Sequence, residues 1–355
     1  MWRRGVHRTR WRNYLFSFKT DSLPIGRNTP RKAPLSRRAA REDTAIQPIG
    51  YTARQRRSLM LHATRPMPRH ATNKTSPPSE LADIRPGQSI ELLKELHILT
   101  RDGRMNQDSR RKLKQVYHLY QFIEPLLTQM TQDAADLHIA DIGAGKSYLG
   151  FILYDLFFKT RADQSRIYGI EARAELVEKS AALAQRLQFT RMVFLDAPVA
   201  EAITSARLPD TFDLVTALHA CDTATDDAIR FALQKHARFI VLAPCCQAEV
   251  AAVLRKNKGA ALADPRSGAL TEAWRHPLHT REFGSHITNV LRCLQLEAHG
   301  YQVNVTELVG WEHSLKNELI IASYKDLPRA RPAQRLQAML ETLGLVELQE
   351  RFSAA

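Results

Sequence analysis

The chain has 355 residues, 44% of them hydrophobic, enough for one or two packed domains. Its formal charge of +14 sits at one end: residues 1–90 hold 19 Lys+Arg against 5 Asp+Glu, while residues 91–355 hold 32 of each. Four cysteines and no run of about 18 apolar residues exclude a disulfide-framed scaffold and a membrane-spanning helix. A reducing, cytoplasmic location is therefore expected, with no membrane and no obligate partner.

Residues 1–90 are Arg-rich, acid-poor and interrupted by proline ("RRGVHRTRWR", "RKAPLSRRAAR", "ARQRRS"), without sustained apolar periodicity. The composition predicts a disordered basic arm. Three roles are open to it: RNA binding through clustered arginines, an organellar transit segment, or translated upstream sequence, with Met60, Met67 or Met105 as later starts.

From residue 91 the pattern becomes regular. Residues 91–135 read as a helical extension in which Leu113, Val116, Tyr117, Tyr120, Ile123 and Leu127 share one face. Strands are predicted at 137–142, 166–172, 192–196, 212–218 and 238–244. Helices fall between them, most clearly "AELVEKSAALAQRL" and "TDDAIRFALQ". Five such steps predict a parallel sheet covered on both faces. The weakly patterned segment 255–282 reads as an insertion, followed by the helix "SHITNVLRCLQLEAHG". Then "YQVNVTELV" and "NELIIASY" are joined by too few residues for a crossover and should pair antiparallel. Residues 327–355 supply a C-terminal helix, clearest over 332–350.

The first predicted strand runs into "IADIGAGKSYLG" (139–150). A phosphate-cradling loop would need glycine at position 140, which is Ala, and Asp141 would repel the phosphate. The dinucleotide fingerprint fails as well, with Tyr148 at its third glycine. What remains is a strand, an acid, a tight turn at Gly143 and Gly145, and a helix. Such a turn allows close backbone approach by a ligand, and Asp141 favours a cationic group over a phosphate. S-adenosylmethionine, with an adenosine end and a positively charged amino-acid end, fits; a ligand-free turn is the plain alternative.

Ligands of open α/β sheets lie at the carboxyl ends of the strands. Strand two ends in Glu171, placed to accept both ribose hydroxyls. Strand three ends in Asp196 and Ala197, where an adenine amino group could donate. Strand four ends at Leu218, beside the cofactor, and is followed by His219, Cys221 and Asp222. His219 is either a structural histidine or, with Asp222, a candidate base. Strand five ends in Cys245 and Cys246, which with His219 and Cys221 could make a zinc set or, as the H-x-C and C-C spacing favours, pack under a ligand; no metal is expected.

These residues resemble one branch of the S-adenosylmethionine-dependent methyltransferases, which includes bacterial proteins of unassigned substrate and eukaryotic tRNA 2′-O-methyltransferases of the acceptor stem. "DIGAGKSYLG", "ALHACDTATDDAI", "APCC" and the late "LEAHGYQVNVTELV…SLKNELI" carry the resemblance over about residues 110–325. It departs at Asp222, where the tRNA-modifying members tend to have Gly, and after Cys246, where Gln-Ala-Glu replaces a His-rich run. The resemblance implies a class I, Rossmann-like seven-stranded sheet in a domain at 136–326, with S-adenosylmethionine as cofactor. It also implies a substrate side near Cys221, Cys245 and Asn317, with Ser314 and Lys316 beside Asn317.

Methyl transfer then needs alignment above all. A hydroxyl acceptor would lose its proton to His219 or Asp222, whereas a nitrogen acceptor would need less help. His276, His279, Arg281 and His313 are further candidates for the substrate rim. RNA, either tRNA or rRNA, is one acceptor class; a protein, a small molecule, or a non-catalytic cofactor-binding role are the others.

Overall fold

Residues 166–171 and 238–242 are short runs of β-branched and aromatic residues, the composition of strands buried on both faces. In the computed structural model they are central strands of one sheet. The structure describes residues 83–353 apart from 219, 245, 246, 264–267 and 309–317. Most of the basic arm lies outside the described residues, as do His219, Cys245, Cys246, His313, Ser314, Lys316 and Asn317.

Among the described residues two helices precede the sheet, α1 (Ile90–Glu95) and α2 (Gln107–Asp133). Strand β1 (His138–Ile142) leads to α3 (Tyr148–Leu153), which runs on as a π turn, Tyr154–Phe158. Then come β2 (Arg166–Glu171), α4 (Ala174–Arg186), β3 (Met192–Asp196), α5 (Val199–Ile203), β4 (Leu214–Ala217), α6 (Thr223–Gln234) and β5 (Phe239–Leu242). Next are α7 (Glu249–Ala263), α8 (Gly268–Thr271), a 3₁₀ turn at Glu272–Trp274 and α9 (Pro277–Ala298). Strands β6 (Tyr301–Glu307) and β7 (Glu318–Tyr324) complete the sheet, and α10 (Ala330–Thr342) and α11 (Gln349–Phe352) follow.

The sheet order is β3-β2-β1-β4-β5-β7-β6. Strands β1 to β5 are parallel, and β7 is antiparallel to both β5 and β6. This is the class I layout expected from the sequence. Both faces of β1 are buried, and alternation along it feeds two apolar layers. Ile139 packs with Leu113, Tyr120, Ile123 and Leu127 of α2 and with α3, while Ala140 and Ile142 pack with α5, α6 and α9. A third apolar cluster joins α7, α9, α10 and α11.

The helical face predicted in α2 is the one it buries or half-buries, and Asn106 caps the helix by accepting from Ser109 N at 2.8 Å. Packing begins before residue 91, although composition groups residues 83–90 with the arm. Arg85 lies over the rings of Tyr117 and Tyr120, and Ser89 N donates to Asp155 Oδ2 at 2.9 Å. The segment 255–282 is the end of α7, α8, the 3₁₀ turn and the start of α9. Proline suits the first helical position, so α9 begins at Pro277, earlier than its apolar pattern suggested. No helix among the described residues is long and apolar enough to cross a membrane.

Candidate active site

The carboxyl ends of β1, β2, β3 and β4 lie side by side. In register, Asp141 is beside Gly169 and Thr216, and Glu171 is beside Asp196. The turn after β1 needs left-handed backbone at Gly143 (φ 62°) and Gly145 (φ 58°), which glycine adopts without strain. Ser147 is also left-handed (φ 50°).

Asp141 is only 3% exposed, and its carboxylate is turned into the protein, under the turn. Thr216 Oγ1 donates toward its Oδ1 and Ser147 Oγ to its Oδ2, each at 3.2 Å, with Gly150 N–H at 3.4 Å from Oδ2. Burial pushes its pKa up to about 6, against the lowering effect of these three donors. Asp141 thus ties β1, β4 and the start of α3 together and shapes the turn from beneath.

Glu171 is 8% exposed and aims at the turn, where its Oε2 accepts from Gly145 N at 2.8 Å. Arg173 embraces the same carboxylate: its backbone N–H and Nε reach Oε1 at 3.1 and 2.7 Å, and Nη2 reaches Oε2 at 3.2 Å. Burial alone would raise the Glu171 pKa, but the bonds from Arg173 and Gly145 N hold it below the ordinary glutamate range. One strand over, Asp196 is exposed, and Ala197 N donates to Glu171 O at 3.2 Å. A buried, charged acceptor beside a glycine N–H, with an exposed acid next to it, suits a ligand bearing a diol and an amino group.

Beyond β4, Leu218 is half-buried and Cys221 is exposed. The turn and this loop touch: a Cβ on Gly143 would lie 3.5 Å from Ala220. Asp222 has φ 54° and ψ −124°, a backbone suited to glycine, and its Oδ1 accepts from Ala248 N at 2.9 Å. The carboxylate that sequence put forward as a base therefore braces the loop after β4 against the loop after β5. Its carbonyl accepts from Arg292 Nη2 at 2.8 Å. Arg292, fully buried, also grips Asp226 through Nε at 2.7 Å and Nη2 at 2.9 Å.

Sequence reading missed Arg173, Thr216, Ser147 and Arg292. It also missed a polar chain in which Ser285 Oγ donates to Gln247 Oε1 (2.6 Å), Gln247 Nε2 to Asn289 Oδ1 (3.0 Å), and Asn289 to Glu318. A usable signal existed only for Arg173, which stands at the start of a helix where a Ser, Thr, Asp or Asn cap is usual. His276, His279 and Arg281 are exposed around the start of α9, Arg281 being paired with Glu282. Among the described residues no group of three or more His, Cys, Asp or Glu could hold a metal.

Residues 111–253 match the family model of a methyltransferase domain, the segment that holds β1 to β5 and every site residue named so far between Asp141 and Ala248. The chain carries a class I methyltransferase domain. It is an enzyme domain whose methyl donor is S-adenosylmethionine. No curated protein compared with the chain matches it in sequence. Solved structures with a similar fold include precorrin-6y C5,15-methyltransferase from Geobacter metallireducens (17% identity, 54% of this chain, 81% of that chain, TM-score 0.34). Magnesium protoporphyrin IX methyltransferase from Synechocystis PCC 6803 with bound SAH is 15% identical (67% and 95% covered, TM-score 0.37). SAH-bound PaMTH1 of Podospora anserina is 13% identical (67% and 87%, TM-score 0.38). The methyltransferase assignment rests on the matched segment and the strand order.

Proposed function

We propose that this methyltransferase domain acts on RNA, tRNA or rRNA, and that its cofactor lies across the ends of β1 to β4. Glu171 takes the ribose hydroxyls, the exposed Asp196 beside Ala197 accepts from the adenine amino group, and Leu218 packs beside it. Gly143 and Gly145 leave room for the amino-acid end, over a turn that Asp141 holds from below. The observation that carries this assignment is the 2.8 Å bond from Gly145 N–H to Glu171 Oε2, which fixes a charged acceptor beside bare backbone.

The bound cofactor supplies a methyl group already activated on a sulfonium sulfur. The chain's own task is alignment and proton removal. Asp222 sets the spacing of the loops after β4 and β5, so that the acceptor meets a fixed wall. His219 is the base proposed for a hydroxyl acceptor. Cys221, Cys245 and Asn317 are proposed to line the substrate side.

Two features support RNA: the 19 Lys+Arg of residues 1–90 and the sequence resemblance to tRNA-modifying enzymes. A protein or small-molecule acceptor is favoured instead by the charge balance of residues 91–355. Tritium transfer from labelled S-adenosylmethionine to total RNA and total protein of a strain lacking the gene separates the two. Label in RNA is the expected result, and label confined to protein would end the RNA reading.

A further inference from the structure

Four donors surround the two oxygens of Glu171: Gly145 N–H, Arg173 N–H, Arg173 Nε and Arg173 Nη2. An ionised carboxylate offers about four lone-pair positions, so the set is full. A ribose diol would bring two more hydroxyl donors to the same oxygens. Two of the four present donors are backbone groups, fixed by the turn and by the start of α4. The other two belong to one guanidinium on a side chain that is 60% exposed.

We propose that Arg173 is a built-in competitor for the ribose site. Its guanidinium satisfies Glu171 when no cofactor is bound and is displaced by the two ribose hydroxyls, one for each N–H withdrawn. A second observation places it against the turn: Nη2 lies 3.9 Å from where a Cβ on Gly145 would sit, within van der Waals reach of the glycine proposed to admit the ligand. Arg173 therefore sets cofactor affinity and helps product leave by reclaiming Glu171. It takes no part in the chemical step.

This inference rests on the assignment of Glu171 to the ribose, and its test separates the two. S-adenosylhomocysteine is titrated calorimetrically into the full chain, Arg173→Ala and Arg173→Met at low and high salt, with thermal unfolding as a check of folding. Both variants should bind about two- to fivefold more tightly than the parent at low salt, the range set by a half-exposed ion pair. The gap should narrow as salt screens that pair. Equal or weaker binding by both variants overturns the proposal. Unaltered affinity in Glu171→Gln would overturn the ribose assignment, and the competitor role with it.

Discussion

Arg292 Nη2 donates at 2.8 Å to the carbonyl of Asp222, a residue 70 positions earlier in the chain. The same guanidinium holds Asp226, so one fully buried cation from α9 fixes both the loop after β4 and the helix that follows. The buried pair must be complete to be tolerated. Asp226→Ala should lower the unfolding free energy by roughly 3–5 kcal/mol, because it strands an unpaired charge in the core. Urea denaturation measures this, and a loss below about 1 kcal/mol would mean that Arg292 finds another partner.

Asp222 stands in a glycine-type conformation, which costs about 1–3 kcal/mol for other residues. Both Asp222→Gly and Asp222→Ala lose the bond to Ala248 N, but only glycine also relieves the backbone. The glycine variant should be the more stable of the two by about 1–2 kcal/mol. Equal denaturation midpoints would show that the backbone there carries no strain.

Asp141 and Glu171 should make opposite contributions to the pH dependence of stability. Asp141 has its folded-state pKa raised to about 6. Its contribution is fully present below the unfolded value near 4 and is lost as pH rises through about 6, a fall of up to ~3 kcal/mol. Glu171 has its folded pKa depressed, so its contribution is present above the unfolded value and is lost as pH falls. Denaturation of Asp141→Asn at pH 4 and pH 7 should show the Asp141 component missing. An unchanged difference between the two pH values would refute its burial as a charge.

Helices α7 and α9 meet at Gly284, where an added Cβ would lie 2.6–2.8 Å from Ala251 atoms, backbone included. Gly284→Ala must push the helices apart and should cost about 1–3 kcal/mol despite its better helix propensity. A thermal midpoint at or above the parent's would contradict that packing.

The neighbouring strand ends that carry Glu171 and Asp196 were legible in the sequence. Glu171 and Asp196 follow runs whose length and apolarity mark strands, and parallel pairing then sets them side by side. The hairpin β6–β7 was legible because its connection is too short for a helix. What the sequence hid depends on side-chain direction and on contacts distant along the chain. Asp141 reads as a ligand group, yet it points inward because Thr216 and Ser147 converge on it. Asp226 lies 66 residues from Arg292, and no local pattern joins them. The start of α9 was obscured because exposed Leu278, His279 and Arg281 dilute the apolar stripe of its first turns.

The central claim is that Glu171, beside the glycine turn, grips S-adenosylmethionine. Its most direct test is calorimetric titration of S-adenosylmethionine, ATP and NAD into the full chain and into Glu171→Ala. The account predicts one S-adenosylmethionine bound per chain, with affinity reduced about tenfold or more in the variant, since each charge-assisted bond lost is worth about 1.5–3 kcal/mol. No heat with S-adenosylmethionine while ATP or NAD binds, or equal affinity in Glu171→Ala, would contradict it.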